Sequence, residues 1–169
     1  MLTLLLDTLR RGPVTEQLPP PDPDLAALGA RLDAAARKKL GRSLAIREVD
    51  AGSCNGCELE VNALGNSFYD LERFGLRFVA SPRHADVLLV TGPVAKNMRE
   101  ALERTYRATP APKWVVASGD CAAGCGVYAS SSACVGSVAA VIPVDVQIRG
   151  CPPSPVQLLQ GLLALLTPA

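Results

Sequence analysis

Two short segments constrain this chain more than anything else in it. Residues 86–91 (DVLLVT) and 113–118 (KWVVAS) are almost wholly apolar, each is followed at once by a glycine, and a charged stretch with helical spacing separates them. A strand that is apolar on both faces must be covered on both. Parallel strands joined through helices achieve this, because each crossover lays a helix over one face of the sheet. The rest of the chain from residue 43 continues the same alternation. The pattern predicts strands at 44–50, 76–80, 86–91 and 113–118 and a last extended segment at 141–148. Helices are expected over 58–74, 94–108 and 156–166. The expected fold is therefore α/β, a parallel sheet with helices on both faces. In such sheets binding sites lie in the loops beyond the carboxyl ends of the strands.

Ahead of this region the chain reads differently. Leu2, Leu5, Leu6 and Leu9 are spaced as on a short amphipathic helix, suited to docking on a partner or a membrane surface. Asp7, Arg10 and Arg11 follow too soon for a signal peptide. Pro19, Pro20, Pro21 and Pro23 predict an extended linker. Residues 24–42 form an expected helix, with Asp22 or Asp24 capping its start, Arg37, Lys38 and Lys39 at its basic end, and Gly41 as its stop. The expected division is an N-terminal arm and helix at 1–42 and one α/β domain at 43–169.

Composition narrows the chemistry. With 17 Lys and Arg against 16 Asp and Glu the net charge is +1, which argues against a nucleic-acid partner. No apolar run approaches the roughly 20 residues of a membrane span. His84 is the single histidine, and it reads as a surface loop residue rather than a ligand. Six cysteines remain, so any site chemistry is sulfur chemistry.

Four of the six share a context. Cys54 and Cys57 lie in GSCNGC after the first expected strand, Cys121 in SGDC after KWVVAS, and Cys151 in RGCPP after the last extended segment. Each has a glycine one or two residues before it. Loops that follow parallel strands emerge on one edge, so these four thiols converge. Four thiolates without histidine suit a tetrahedral zinc or an iron–sulfur cluster. A zinc ribbon uses two close cysteine pairs, whereas here only Cys54 and Cys57 are a pair. The Cys-Pro at Cys151-Pro152 recurs around iron–sulfur ligands. An exchanging dithiol at Cys54 and Cys57 would leave Cys121 and Cys151 without a task. Cys125 and Cys134 are expected to be small buried hydrophobes, with Cys125 a candidate neighbour of the site.

The segments AGSCNGCELE, FYDLERFG, ASPRHADVLLVTGPV, PAPKWVVASGDCA and IPVDVQIRGCPPSP together resemble the small iron–sulfur subunit shared by complex I (its 20-kDa subunit) and membrane-bound nickel–iron hydrogenases. The resemblance runs from about Ile46 to Leu166 and is nearest to the formate hydrogenlyase type, which has C-x-x-C where complex I has adjacent cysteines. It implies a flavodoxin-like sheet and one 4Fe–4S cluster held by Cys54, Cys57, Cys121 and Cys151. It implies an electron-transfer subunit, not catalytic alone, beside a large catalytic subunit bearing a nickel–iron centre or bordering a quinone site. A ferredoxin-like iron–sulfur subunit, membrane subunits and a peripheral place on the cytoplasmic face of the inner membrane are implied with it. Glu60 and Asp70 match family acidic positions near the cluster, with proton handling or the partner interface as the implied role. An ion pair from Asp70 to Arg73 or Arg77 is the plainer reading. Arg83 and Asp86 are expected at that interface or in a loop salt bridge. Three departures stand out: Gly124-Cys125-Gly126 where relatives commonly have a Gly-Gly pair, Ser130–Ser132 where they often have an aromatic residue, and Arg149 where they often have proline. A cation at 149 favours the reduced, more negative cluster and so raises its potential.

Overall fold

The structure, a computed structural model, describes residues 2–11 and 22–167. Helix α1 spans Leu2–Arg11. The proline run at 19–21 lies outside the described residues. Pro23, expected in the linker, is instead the first residue of α2 (Pro23–Leu40), where its missing N–H costs nothing. The Asp22 carboxylate caps that helix by accepting from Asp24 and Leu25, and Gly41 closes it in the left-handed region.

Strands β1 (Leu44–Asp50), β2 (Leu76–Phe78), β3 (Val87–Thr91), β4 (Trp114–Ser118) and β5 (Val146–Ile148) form one sheet in the order β2-β1-β3-β4-β5. Every pairing is parallel. This is the flavodoxin-like order, which reverses direction between β1 and β3. Helices α3 (Gly56–Ala63), α4 (Arg99–Ala108) and α5 (Pro155–Leu166) complete the layers.

Side-chain alternation sorts the core into two. Leu44, Ile46, Val87, Leu89, Val116 and Ile148 face one side, where they pack with α2, α3 and α5. Val49, Leu88, Val90, Val115 and Ala117 face the other, against Leu102 of α4 and the 138–142 segment. Leu32 and Ala36 of α2 are fully buried in the same cluster as the strands, and α2 lies along α5.

Four expected boundaries move, each for a local reason. The helix expected over 58–74 ends at Ala63. The Asn66 side chain accepts from the Phe68 and Tyr69 N–H groups, turning the chain, and a short 3-10 turn follows at Leu71–Phe74. The second strand stops at Phe78, two residues early, at the open edge of the sheet. The helix expected from 94 begins at Arg99, because Val94 is left-handed and Ala95 bridges to Cys134 instead. The extended segment at 141–148 yields only the three-residue strand Val146–Ile148, which begins after Pro143, a residue with no N–H for a strand ladder.

Asp86 is buried at the entrance to β3. Both its oxygens accept from the Arg42 guanidinium, at 2.9 and 2.6 Å, and Oδ2 also accepts from the Ala45 N–H at 2.9 Å. The expected partnership with Arg83 is therefore replaced by one that joins the end of α2 to two central strands. Arg83 and His84 are exposed to solvent at least in part. Asp86→Ala strands a buried N–H and uncouples Arg42. The expected loss is about 2–3 kcal/mol, read as a lower urea midpoint at unchanged m-value; an unchanged midpoint would refute this role.

Candidate metal centre

The loops after β1, β3, β4 and β5 meet beyond the carboxyl ends of the strands and enclose a pocket of about 80 Å³. Cys54, Cys57, Cys121 and Cys151 all line it. The structure brings the four cysteines that follow strand ends in the sequence to this one pocket.

Each loop is shaped by its own residues. After β1, Asp50 Oδ1 accepts from the Gly52 and Ser53 N–H groups, both at 2.8 Å, which folds the chain back across the sheet edge. Ser53 Oγ accepts from the Asn55 N–H, and Asn55 is left-handed with φ of 70°. Helix α3 then starts at Gly56, so Cys57 sits in its first turn. The loops carrying Cys121 and Cys151 are tied together directly. Asp120 N–H donates to the Gly150 carbonyl at 2.8 Å, and Gly150 N–H donates to Asp120 Oδ1 at 3.1 Å.

Two glycines make the pocket possible. Gly119 has φ of +91°, and a Cβ there would stand 2.7 Å from Cys57 Sγ. Gly92 has φ of +80°, and a Cβ there would stand 2.6 Å from the Ser53 nitrogen. Both positions demand the left-handed region and a missing side chain at once.

The electrostatics are those of crowded sulfur. Burial pushes the Cys57 thiol up to about 12, and the charges of Glu58, Cys54, Cys121 and Cys151 add to the effect. The Cys121 thiol is also raised, by burial first and by Cys151 and Cys54, while N–H groups of Tyr128 and Val127 pointing at its sulfur oppose the rise. A metal reverses this balance by stabilising thiolate directly. Among the described residues no three His, Cys, Asp or Glu side chains are gathered tightly enough to chelate a metal ion as they stand. The four cysteines line the pocket. An all-sulfur donor set around a pocket walled by glycine backbone fits an iron–sulfur cluster.

Glu58 escaped the sequence reading. It is buried beside Cys57, accepts from the Ser53 hydroxyl at 2.6 Å through Oε2, and its Oε1 is buried with no partner among the described residues. Its position directly after the second cysteine was the available signal. Its charge, after burial, also helps raise the carboxyl of Glu48 on β1. Glu60 is half-buried on α3 and Asp70 precedes the 3-10 turn; neither lines the pocket. Asp70 pairs with Arg73 at 3.6 Å, the plainer of its two expected roles. Cys125 is exposed, not a buried hydrophobe, because Arg149 and the Asp120 carbonyl hold its sulfur in the loop. Cys134 is half-buried.

Comparison with known proteins places this geometry. Residues 54–165 match the family described as NADH ubiquinone oxidoreductase, 20 Kd subunit. A probable membrane-bound hydrogenase subunit, mbhJ, of Pyrococcus furiosus is 46% identical over 76% of this chain and 77% of its own length. Formate hydrogenlyase subunit 7 of Escherichia coli is 42% identical over 78% of this chain, though the match spans only 52% of that protein. A chain of the membrane-bound sulfane sulfur reductase, an archaeal respiratory membrane complex, superposes with a TM-score of 0.66 at 37% identity, covering 80% of this chain and 73% of that one. The family model ends within α5 and begins at the first pocket cysteine, so it takes in all four thiols and the whole sheet beyond β1. The chain belongs to the family of the 20 Kd subunit of NADH ubiquinone oxidoreductase and is an oxidoreductase subunit.

Proposed function

We propose that Cys54, Cys57, Cys121 and Cys151 hold one 4Fe–4S cluster, and that the chain is the electron-transfer link beside the catalytic centre of a large partner subunit. The observation that carries this reading is the convergence of four thiols from three strand-end loops on one pocket. When bound, such a cluster supplies one-electron storage and transfer. The chain's own part is to fix and insulate it. Gly119 keeps Cys57 clear of backbone crowding, and the Asp120–Gly150 bonds hold Cys121 and Cys151 at a set separation. The Tyr128 and Val127 N–H groups direct positive charge at the Cys121 sulfur.

Zinc is the rival occupant. With Zn–S bonds near 2.3 Å, tetrahedral zinc needs its four sulfurs within roughly 4 Å of one another. Here the thiols come as one close pair and two singles, unlike the two close pairs of a zinc ribbon, and this favours the iron–sulfur group.

The partners follow from the relatives. They are subunits of a membrane-bound hydrogenase, a formate hydrogenlyase and a sulfane sulfur reductase, so we assign this chain to a membrane-associated complex of that kind. A ferredoxin-like subunit exchanges electrons with it there, on the cytoplasmic face. Among the described residues no helix is long and apolar enough to cross a membrane. Whether hydrogen, quinone or sulfur is the terminal partner in the reaction is set by the large subunit. Glu60 and Asp70 are assigned to the surface facing that subunit. Each lies close in sequence to an exposed apolar side chain, Leu59 and Phe68 respectively.

Anaerobic purification should give a brown protein with broad blue absorbance and iron and sulfide in equal amounts. A colourless protein with stoichiometric zinc after reconstitution would overturn the proposal. Cys121→Ser should cut bound iron severely, while Cys134→Ala should leave it unchanged; equal iron in the two would reject the ligand set. Gly119→Ala should lower iron loading several-fold with little loss of helical circular dichroism, because the added carbon displaces Cys57 Sγ. Full loading of that variant would show that the cradle has room to spare.

A further inference from the structure

The two departures that flank the site in sequence, Cys125 and Arg149, meet in space. Arg149 Nη1 donates to Cys125 Sγ, and the same nitrogen lies 3.9 Å from Asp120 Oδ1. Cys125 Sγ in turn lies 3.4 Å from the Asp120 carbonyl oxygen, to which it donates. Asp120 Oδ1 also accepts from Gly150 N–H. Arg149, Asp120 and Cys125 thus form a closed latch between the residue before Cys121 and the residue two before Cys151. The pocket lining contains Asp120 but no Lys, Arg or His. Arg149 is the cation at its rim.

We propose that Arg149 raises the reduction potential of the cluster, and that Cys125 is a positioning residue that holds the guanidinium there. This inference rests on the cluster assignment above. The physical reason is charge balance. Reduction adds an electron to a group already surrounded by four thiolates, Asp120 and the buried Glu58, and a nearby cation favours the more negative state. Left to itself, a largely exposed arginine spreads over many rotamers and its field is averaged by water and salt. A hydrogen bond to the thiol sulfur and the charge of the Asp120 carboxylate 3.9 Å away hold it on one side of the site. Without Arg149, the Asp120 carboxylate stands uncompensated next to Cys121, and the potential falls.

The test is a redox titration of the reconstituted full chain followed by electron paramagnetic resonance, at low and high salt. Arg149→Gln should cut the reduced-to-oxidised ratio at a fixed potential by about tenfold, which is about 59 mV for one electron. Arg149→Lys should recover much of the shift, since it keeps the charge. Cys125→Ala should move the potential the same way as Arg149→Gln but less, and high salt should shrink its remaining distance from Arg149→Gln. A loaded Arg149→Gln cluster with an unmoved potential overturns the inference. So does an Arg149→Lys variant that behaves like Arg149→Gln, because then charge is not the cause. If Arg149→Gln fails to load iron, Cys125→Ala decides the matter: an unmoved potential, or failure of both to load, overturns it. A parent chain that takes up no iron instead refutes the cluster assignment, a distinct result.

Discussion

All five strands run the same way, so every carboxyl end lies on one edge of the sheet, and this geometric fact governs everything the protein does. Loops separated by more than sixty residues in sequence, such as those carrying Cys57 and Cys121, become neighbours without any long-range instruction beyond strand pairing. The register fixes how closely they meet. Asp50 lies level with Thr91, and Thr91 with Ser118. The chain therefore leaves β1, β3 and β4 at one height. A slip in any pairing would turn strand faces over and raise or lower one thiol against the others. The burial of both sheet faces, with Ile46, Val87 and Leu89 on one side and Leu88 and Val90 on the other, prevents such slips.

On that edge the scarce resource is space. A pocket of about 80 Å³ that admits four sulfurs leaves no volume for ordinary turn residues. Gly92 and Gly119 answer the packing problem and the backbone problem together, since each has a positive φ and a Cβ on either would come within 3 Å of a neighbour. Gly92 therefore lines the site, and Gly119 leaves room for the Cys57 sulfur beside it.

How much of this was legible beforehand depended on whether the signal was local. The apolar strands Val87–Thr91 and Trp114–Ser118 announced themselves, because a strand buried on both faces has a composition that few other elements share. The four thiols were legible for the same reason: each follows a strand end in sequence. Tertiary effects were not legible. Nothing near Val94 declares that it turns left-handed so that Ala95 can pair with Cys134, which delays α4 by five residues. Nothing near Asp86 names Arg42, which is 44 residues away. Cys125 looked like filler because thiols usually are, and only the fold shows that Arg149 reaches it.

The charge arrangement around the pocket follows from these constraints. Burial alone would keep Cys57 protonated far above neutral pH, and Glu58 behind it makes the thiolate costlier still. An iron–sulfur site assembled here must supply its own positive charge to draw those protons off, and the thiolates then leave it electron-rich. Glu58 stays buried with one oxygen satisfied by Ser53 and the other unpartnered among the described residues. Glu58 is thus buried next to Cys57, while Arg149 lies exposed against Cys125 and Asp120. Cys54, Cys151 and Val127 are also open to the outside. The same edge geometry that gathers the thiols therefore also leaves Cys54 and Cys151 exposed while Glu58 is buried.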